Sequence, residues 1–463
     1  MNAPLPASGS HNQAIHFQRA AEIRHDVDVF VAGGGPAGIA AAIAAARHGA
    51  SVFLAEAEWA FGGMGTLGLV PAFMPLGDGE HLLADGIGTE VLRRMLSPSE
   101  TEWDPALPLD TRFEYSVDVE KLKRVYDRMM EESGAGFSFG AHLVGVERTE
   151  DHIDAALLWG KGGFYAVRAK IYIDATGDGD LCAFAGAAFG KGDETGTCMP
   201  GTLCSLWGGV DWGRAMADGL RWGHNRHVRQ AHSDGVFKDL DLHVSGMWPK
   251  GDGFYCGGNV GHAFGLDATD ERSVTRAMVE GRRFALEYLR YYREYMRSGF
   301  GDIRLLATAG VMGVRESRRI VGDYVMTMDD FAARRRHDDD IALNNYPVDI
   351  HVMRPNDDEE FSRFSRDFSS LRYKRLESYG ISYRSLIPKG LSNVLVAGRC
   401  ISCDRSIQAS IRVMPCCFET GQAAGLAGAL AAACGVGPRD VDVRQVQEAL
   451  RNMGAYLPAA GQS

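Results

Sequence analysis

DVDVFVAGGGPAG, Asp26 to Gly38, is the stretch whose reading decides the fold. Val27, Val29, Phe30 and Val31 form a short apolar run of strand type. Gly33, Gly35 and Gly38 follow in G-x-G-x-x-G register before an alanine-rich segment, which makes a strand, a tight turn and a helix. The first glycine lets the chain turn, the second lets backbone approach a pyrophosphate, and the third lets helix pack on strand. Pro36 just inside the start and Gly49 just past the end predict a helix over Pro36–His48. Its first-turn N–H groups, around Pro36 and Ala37, would face a diphosphate. A second strand, SVFLAE, closes on Glu56, 18 residues past Gly38. An acid there can accept from both hydroxyls of an adenosine ribose and would repel a 2′-phosphate.

Working outward, the glycine-rich EWAFGGMGTLG can lie flat against a planar ligand. VDVEKLKRVYDRMMEES predicts an amphipathic helix ending at Gly134. Three alternating runs, near His142–Glu147, Ile153–Leu158 and Tyr165–Arg168, predict a small antiparallel meander. KIYIDATGDGD then supplies a separate strand, Ile171–Ala175, running into a Gly/Asp turn at the sheet's carboxyl edge, where doubly wound folds bind ligands. Residues 195–385 differ in character, rich in Trp, His, Tyr and Arg, and read as a separate substrate domain with a long helix from Asp270 to about Ser298. The charged run RRRHDDD within it reads as a solvated loop. NVLVAG, from Asn393, is a third buried-type strand, and ETGQAAGLAGALAAA is a small-residue helix able to approach a sheet closely. The expected fold is therefore α/β. A discontinuous, doubly wound, Rossmann-like nucleotide domain (25–194 and 386–463) carries an antiparallel meander and an inserted α+β substrate domain (195–385), after a polar tail (1–24).

A chain of 463 residues is long enough for two or three cores. With 49 basic against 60 acidic residues the net charge is −11, which disfavours a nucleic-acid partner. The most apolar runs are too short for a membrane span, so no membrane partner is expected. Nine cysteines, odd in number and mostly in apolar contexts, suit reduced thiols in a cytoplasm.

With these features together, the chain resembles the FAD-dependent oxidoreductases of the glutathione-reductase-like superfamily, in the group related to succinate dehydrogenase and fumarate reductase flavoproteins. It is similar to the family called simply FAD-dependent oxidoreductase through SRRIVGDYVMTMDD (317–330), YPVDIH (346–351), ISYRSLIPKGLSNVLVAGRCIS (381–402) and RVMPCCFETGQAAG (412–425). The resemblance implies FAD as cofactor. It implies that Gly33, Gly35 and Gly38 hold the diphosphate and Glu56 the ribose, that Gly63, Met64 and Thr66 line the ribityl and ring region, and that Leu143 contacts adenine. Ala175, Thr176, Gly177 and Asp178, with Gly398 and Arg399, would close over the ribityl diphosphate. A helix beginning at Arg412, Val413 and Met414 would aim its N-terminus at the flavin N1–C2=O edge, where reduced flavin carries negative charge.

No second G-x-G-x-x-G follows a strand, so a separate NAD(P)H domain is not expected, and Gly-Arg-Cys stands where aromatic hydroxylases place Gly-Asp. Electrons are expected from the organic substrate or a partner protein. Moving a hydride from a carbinol carbon to flavin N5 needs a base for the hydroxyl proton and donors to orient the oxygen. His262 is the first candidate for the base and His351 the second; a structural role for either fits the residues as well. Arg315 is a candidate anion clamp, and Tyr383 and Arg384 are candidate contacts at the domain junction. Cys400 and Cys403, spaced C-x-x-C, and Cys416–Cys417 read as small buried thiols by default, with a redox dithiol as the sharper alternative. No metal is expected. The expected function is an FAD-dependent dehydrogenase or oxidase of a polar small molecule, an alcohol or sugar-like carbinol, with oxygen or a protein as electron acceptor. The alternatives are a flavin-dependent reductase of an activated C=C bond and an electron-transfer subunit.

Overall fold

The computed structural model describes residues 18–458 except 100, 220–223, 251–252, 356–358, 360–361, 364–365 and 368–370. The polar tail expected over 1–24 lies, up to residue 17, outside the described residues.

The strand Glu22–Ala32 is the centre of a seven-stranded sheet. It pairs in parallel with Val52–Ala55 on one side (Ala32 opposite Ala55) and with Gly163–Asp174 on the other (Ala32 opposite Asp174). Gly136–Ser138 and Val394–Val396 add further parallel strands at the two flanks. All these strands point their carboxyl ends the same way, so the loops after Ala32, Ala55, Asp174 and Val396 gather at one edge. The helix Pro36–Arg47 leaves the glycine turn with Gly35 as N-cap and Pro36 in its first turn. Helix Val119–Ser133 is capped by the Asp118 carboxylate, which accepts the Lys121 N–H, and stops at left-handed Gly134.

The meander differs from its expectation in one respect. His142–Thr149 and His152–Gly160 are its first two strands, but the third and the returning strand are one continuous element, Gly163–Asp174. Its first half pairs antiparallel with His152–Gly160 and its last residues pair in parallel with Val394–Val396. Between Arg168 and Ile171 the sequence offers only Ala and Lys, neither of which makes a turn, so the alternation continues unbroken.

The small-residue helix, Met414–Cys434, packs on the glycine-turn helix as well as on the sheet. A Cβ on Gly421 or Gly425 would collide with the carbonyl oxygens of Ala37 and Ala41, whereas one on Gly428 would meet the side chains of Ile173, Ile171 and Val29 at 3.5 to 3.6 Å. Two glycines therefore set the helix–helix spacing, while the third leaves room for a methyl against the sheet.

Residues 195–385 divide between two cores. A four-stranded antiparallel sheet, in the order Gly246–Lys250, Tyr255–Asn259, Ser205–Gly208, Arg304–Thr308, packs with helix Glu271–Glu294 around Trp207, Tyr288, Tyr291, Tyr292 and Phe300. Ile320, Phe331, Ile341 and Tyr379 instead join the core of the nucleotide sheet. RRRHDDD is irregular with Arg335, Arg336 and Asp338 exposed, as expected of a solvated loop, but ion pairs tie it to buried carboxylates. Arg336 pairs with Asp340 at 2.6 Å and Arg335 with Asp330 at 2.9 Å, and Asp340 opens the strand Asp340–Asn344. Opposite charges four or five residues apart let the run fold back on carboxylates that are themselves buried.

Candidate functional site

The loops at the carboxyl edge enclose a cavity of about 580 Å³. At its glycine end, Gly33 has φ +96° and lies so close to Ala175 that a Cβ would stand 2.6 Å from the Ala175 oxygen, so only glycine fits. Gly38 is tucked under the turn, where a Cβ would collide with the Gly33 carbonyl. The Cβ direction of Gly35, by contrast, meets nothing within 4 Å and faces open cavity. The first N–H groups of the helix it caps have no acceptor inside the helix. Glu56 leaves the second strand into the same space. Its Oε2 accepts the Gly34 N–H at 2.6 Å and its Oε1 the Glu58 N–H at 2.8 Å. Burial pushes its carboxyl up, and each oxygen keeps a further lone pair for a ligand hydroxyl.

The far wall is held by buried charge. Asp174, fully buried, accepts from Thr176 N (3.2 Å), Thr176 Oγ1 (2.8 Å) and Cys182 N (2.9 Å), so one carboxylate folds the ATGDGD turn. Arg399 spans from the returning strand, donating to Gly177 O at 2.9 Å, Val314 O at 3.1 Å and Asp178 Oδ1 at 2.7 Å. Helix Met414–Cys434 begins at Val413 with no side-chain cap, its first turn at the cavity. Asp174→Ala would leave three donors without their acceptor, at a cost of about 2 to 4 kcal/mol. A lower unfolding temperature with weaker cofactor retention is the expected result, and an unchanged melting curve would count against this anchoring role.

Beside the cavity lies a chain of buried polar groups. Asp241 Oδ2 is 2.8 Å from His262 Nδ1, His262 Nε2 is 3.0 Å from His351 Nδ1, and His351 Nε2 is 3.4 Å from Asp349 Oδ2. Arg412, which lines the cavity, donates to Asp349 O at 2.7 Å and Asp349 Oδ2 at 3.0 Å. The His243 ring stacks on His351 at 4.1 Å between centroids. Burial, then the charges of Arg315 and His243, hold the His351 imidazole well below its usual pKa, and burial brings His243 down to about 4. Burial raises Asp349, but His351, Arg412 and His243 outweigh it and hold that carboxyl well below the usual range.

A family model described as FAD dependent oxidoreductase matches residues 28–450. The chain belongs to this FAD-dependent oxidoreductase family. It is therefore an enzyme, an oxidoreductase with FAD as cofactor. No functionally curated protein matches the sequence. A solved structure of a geranylgeranyl bacteriochlorophyll reductase-like protein from Thermoplasma acidophilum aligns over 93% of this chain and 83% of its own, at 12% identity and TM-score 0.42. The anhydrotetracycline hydroxylase OxyS from Streptomyces rimosus aligns over 92% of this chain and 65% of its own (13% identity, TM-score 0.42). The p-nitrophenol 4-monooxygenase of Pseudomonas putida aligns over 92% and 84% (11% identity, TM-score 0.41). Likeness at this level carries no argument about chemistry. No helix among the described residues is long and apolar enough to cross a membrane.

The cavity fits FAD. A glycine whose missing Cβ leaves the diphosphate position open, two uncapped helix N-termini and a buried acid with spare lone pairs are the donor and acceptor set a dinucleotide needs. Of the expected cofactor residues, Gly33, Gly35, Pro36, Ala37, Glu56, Gly63, Met64, Leu143, Ala175, Thr176, Gly177, Asp178, Gly398, Arg399, Arg412 and Met414 line it. Gly38, Thr66 and Val413 stand one layer behind. Thr66 Oγ1 donates to Phe61 O, and Val413 is the N-cap.

Of the expected catalytic residues, the structure brings His262, His351 and Arg315 together and leaves Tyr383 and Arg384 elsewhere. The Tyr383 hydroxyl donates to Pro438 O at 2.8 Å, and Arg384 pairs with Asp339 at 2.9 Å on the surface. Neither lines the cavity, because η-turn Tyr383–Leu386 points them away from the strand that returns to it. His262, His351 and Arg315 do not line the cavity either: both ring nitrogens of His262 are engaged by Asp241 and His351, and Arg315 donates to Pro200 O, Thr202 Oγ1 and Asn259 Oδ1 behind the wall. All nine cysteines are free thiols, and burial raises Cys400, Cys403, Cys416 and Cys417 well clear of thiolate chemistry. Sequence reasoning missed Asp241, His243, Tyr346 and Asp349. For Tyr346 and Asp349 the signal was present, since both stand in the YPVDIH motif with His351; for Asp241 and His243, in a stretch of loop, nothing in the local pattern marks them.

Proposed function

We propose that the enzyme oxidises a small polar carbinol, giving its hydride to FAD and its hydroxyl proton to the His351–His262 pair. The observation that carries this reading is the chain Asp241–His262–His351–Asp349–Arg412, which ends on the cofactor cavity. Bound FAD supplies the two-electron acceptor, taking the hydride as the carbinol carbon becomes a carbonyl. The chain's own residues handle the proton. Three links join two carboxylates through two imidazoles, and before the substrate's proton arrives this reading gives the pair two N–H groups, one to each ring. The two short links, 2.8 and 3.0 Å, take them: His262 Nδ1–H donates to Asp241 and His351 Nδ1–H donates to His262 Nε2. The longest, 3.4 Å, is left without a proton, so His351 Nε2 offers its lone pair toward Asp349. A proton entering there makes an imidazolium that both carboxylates stabilise. His351 thus receives the proton and His262 fixes its tautomer, the reverse of the order in which sequence alone ranks them. Kinship with the succinate dehydrogenase and fumarate reductase flavoproteins and a cytoplasmic location for nine reduced thiols are part of the same reading.

Anaerobic addition of hydroxylated compounds to the yellow holoprotein tests it: at least one should bleach the flavin without a partner protein, and a panel that leaves the band unchanged would refute the reading. His351→Gln should keep its FAD yet slow that bleaching by about a hundredfold, and His262→Gln by about tenfold, since it loses only orientation. Because the His351 pKa is lowered, the ring is neutral at every pH above the lowered value. The wild-type rate should therefore hold as pH falls through 6.5, the ordinary imidazole value, and drop only below it. A rate that halves at 6.5 would assign the proton to an unperturbed group.

A further inference from the structure

His243, Asp349 and His351 stand together against a second cavity, about 800 Å³, that shares no lining residue with the first. An imidazole nitrogen from each histidine and a carboxylate oxygen of Asp349 lie within 4.8 Å of one another, the one trio of this kind among the described residues. His243 and Asp349 line the cavity, and buried His351 stands behind them with its ring stacked on His243. The donors are held in place. His351 turns Nδ1 to His262 and Nε2 toward Asp349, and His262 is in turn held by Asp241. A histidine that ligates a metal donates its other N–H to an acceptor that fixes ring and tautomer; His262, backed by Asp241, is that acceptor. Asp349 turns Oδ2 to His351 and Arg412, which leaves its Oδ1 with no hydrogen bond among the described residues. The Tyr346 hydroxyl lines the same cavity, also without a hydrogen bond among the described residues, and can partner a water on a metal. Charge does not bar a cation. Arg112 and Arg375 are paired with Asp110 and Glu80, and the exposed Arg372 and Lys374 are offset by Asp78 and Glu114, which pair with no arginine or lysine among the described residues. Arg412 and Arg315 lie close by, against the carboxylates of Asp349 and Asp241. Two imidazoles and one carboxylate, with room for water on the cavity side, suit zinc better than the oxygen-seeking magnesium or calcium.

We propose that His243, His351 and Asp349 form a binding site for a divalent transition metal of the zinc class, reached through the second cavity. Sequence spacing gives no sign of it, because His243 comes from the loop before Gly246–Lys250 and its partners from YPVDIH. Binding stands apart from the oxidation proposed above, but one consequence rests on that reading. The metal would occupy the same His351 Nε2 lone pair that receives the substrate's proton, so zinc should slow bleaching of the flavin by a carbinol. Calorimetric titration of the tag-free, chelator-washed holoprotein with zinc chloride, beside magnesium chloride, tests the site. One Zn²⁺ per chain should bind with a Kd of about 1 μM or tighter, and Mg²⁺ at least about a hundredfold more weakly. His243→Gln, its FAD content checked, should weaken Zn²⁺ at least about tenfold. X-ray absorption at the zinc edge of the wild-type protein should show two imidazole nitrogens at about 2.0 to 2.1 Å, a reading that does not depend on the variant folding. No stoichiometric zinc, zinc held by thiolates or by fewer than two imidazoles, or an affinity that ignores His243→Gln would overturn the proposal. Zinc bound as expected that leaves carbinol bleaching unslowed supports the site and removes His351 as the proton acceptor. Zinc bound as expected with no bleaching by any carbinol supports the site and removes the oxidation.

Discussion

Gly35→Asp should give a folded, colourless protein. The Cβ direction of Gly35 is empty to 4 Å, so a side chain there disturbs no packing. Its φ of −70° and ψ of −177° suit aspartate, which is among the favoured N-cap residues, so the apoprotein should melt at or slightly above the wild-type temperature. The carboxylate, however, points into the cavity at a helix N-terminus where the cofactor diphosphate must lie. Two like charges about 4 Å apart at an effective dielectric near 20 repel by about 4 kcal/mol, close to a thousandfold in affinity. Fluorescence titration of the apoprotein with FAD, beside a thermal unfolding curve, reads both halves. Stoichiometric FAD in the purified variant would contradict the placement of the diphosphate at this turn.

Gly421→Val should fail at the level of the fold. Its Cβ would collide with the Ala37 carbonyl oxygen, which is backbone within a helix and cannot move aside by changing a rotamer. The two helices must separate, and both carry residues of the cofactor cavity: Pro36 and Ala37 on one, Met414 and Cys417 on the other. Overpacking of this kind costs about 3 kcal/mol or more. The expected outcome is insoluble protein, or soluble protein with a much lower unfolding temperature and little FAD. Gly428→Ala is the control, because its Cβ would sit at ordinary contact distance, 3.5 to 3.6 Å, from Ile173, Ile171 and Val29. Equal unfolding temperatures for Gly421→Val and wild type would show that the close helix contact does not hold in solution.

The nucleotide half was legible because its signals are local. Gly33, Gly35, Gly38 and Glu56 announce their roles within a single strand–turn–helix–strand unit, and short-range chemistry sets what each must do. The start of helix Met414–Cys434 came from the family resemblance rather than from a local signal, and Arg412, expected within it, instead closes the preceding helix. What escaped depends on distant contacts. Tyr165–Arg168 and Ile171–Ala175 read as two strands because one half belongs to a meander and the other to the parallel sheet, a division that exists only in the partners of Gly163–Asp174. The charges of RRRHDDD read as solvated, which holds for Arg335, Arg336 and Asp338, but the buried acids Asp330 and Asp340 that anchor the run are visible only in three dimensions. The polar chain joins Asp241 and His262 to His351 and Asp349 across 89 residues between the histidines, a separation no periodicity can register. His262 was found from its glycine-rich setting, but that setting says nothing of the ring already occupying its Nε2.

The identity and amount of flavin in the purified protein test the central claim most directly. A single cavity running from the glycine turn and Glu56 to Arg412 and Met414 predicts one FAD per chain. Protein that carries FMN alone, or that stays colourless and takes up no FAD when it is added in excess, would contradict it.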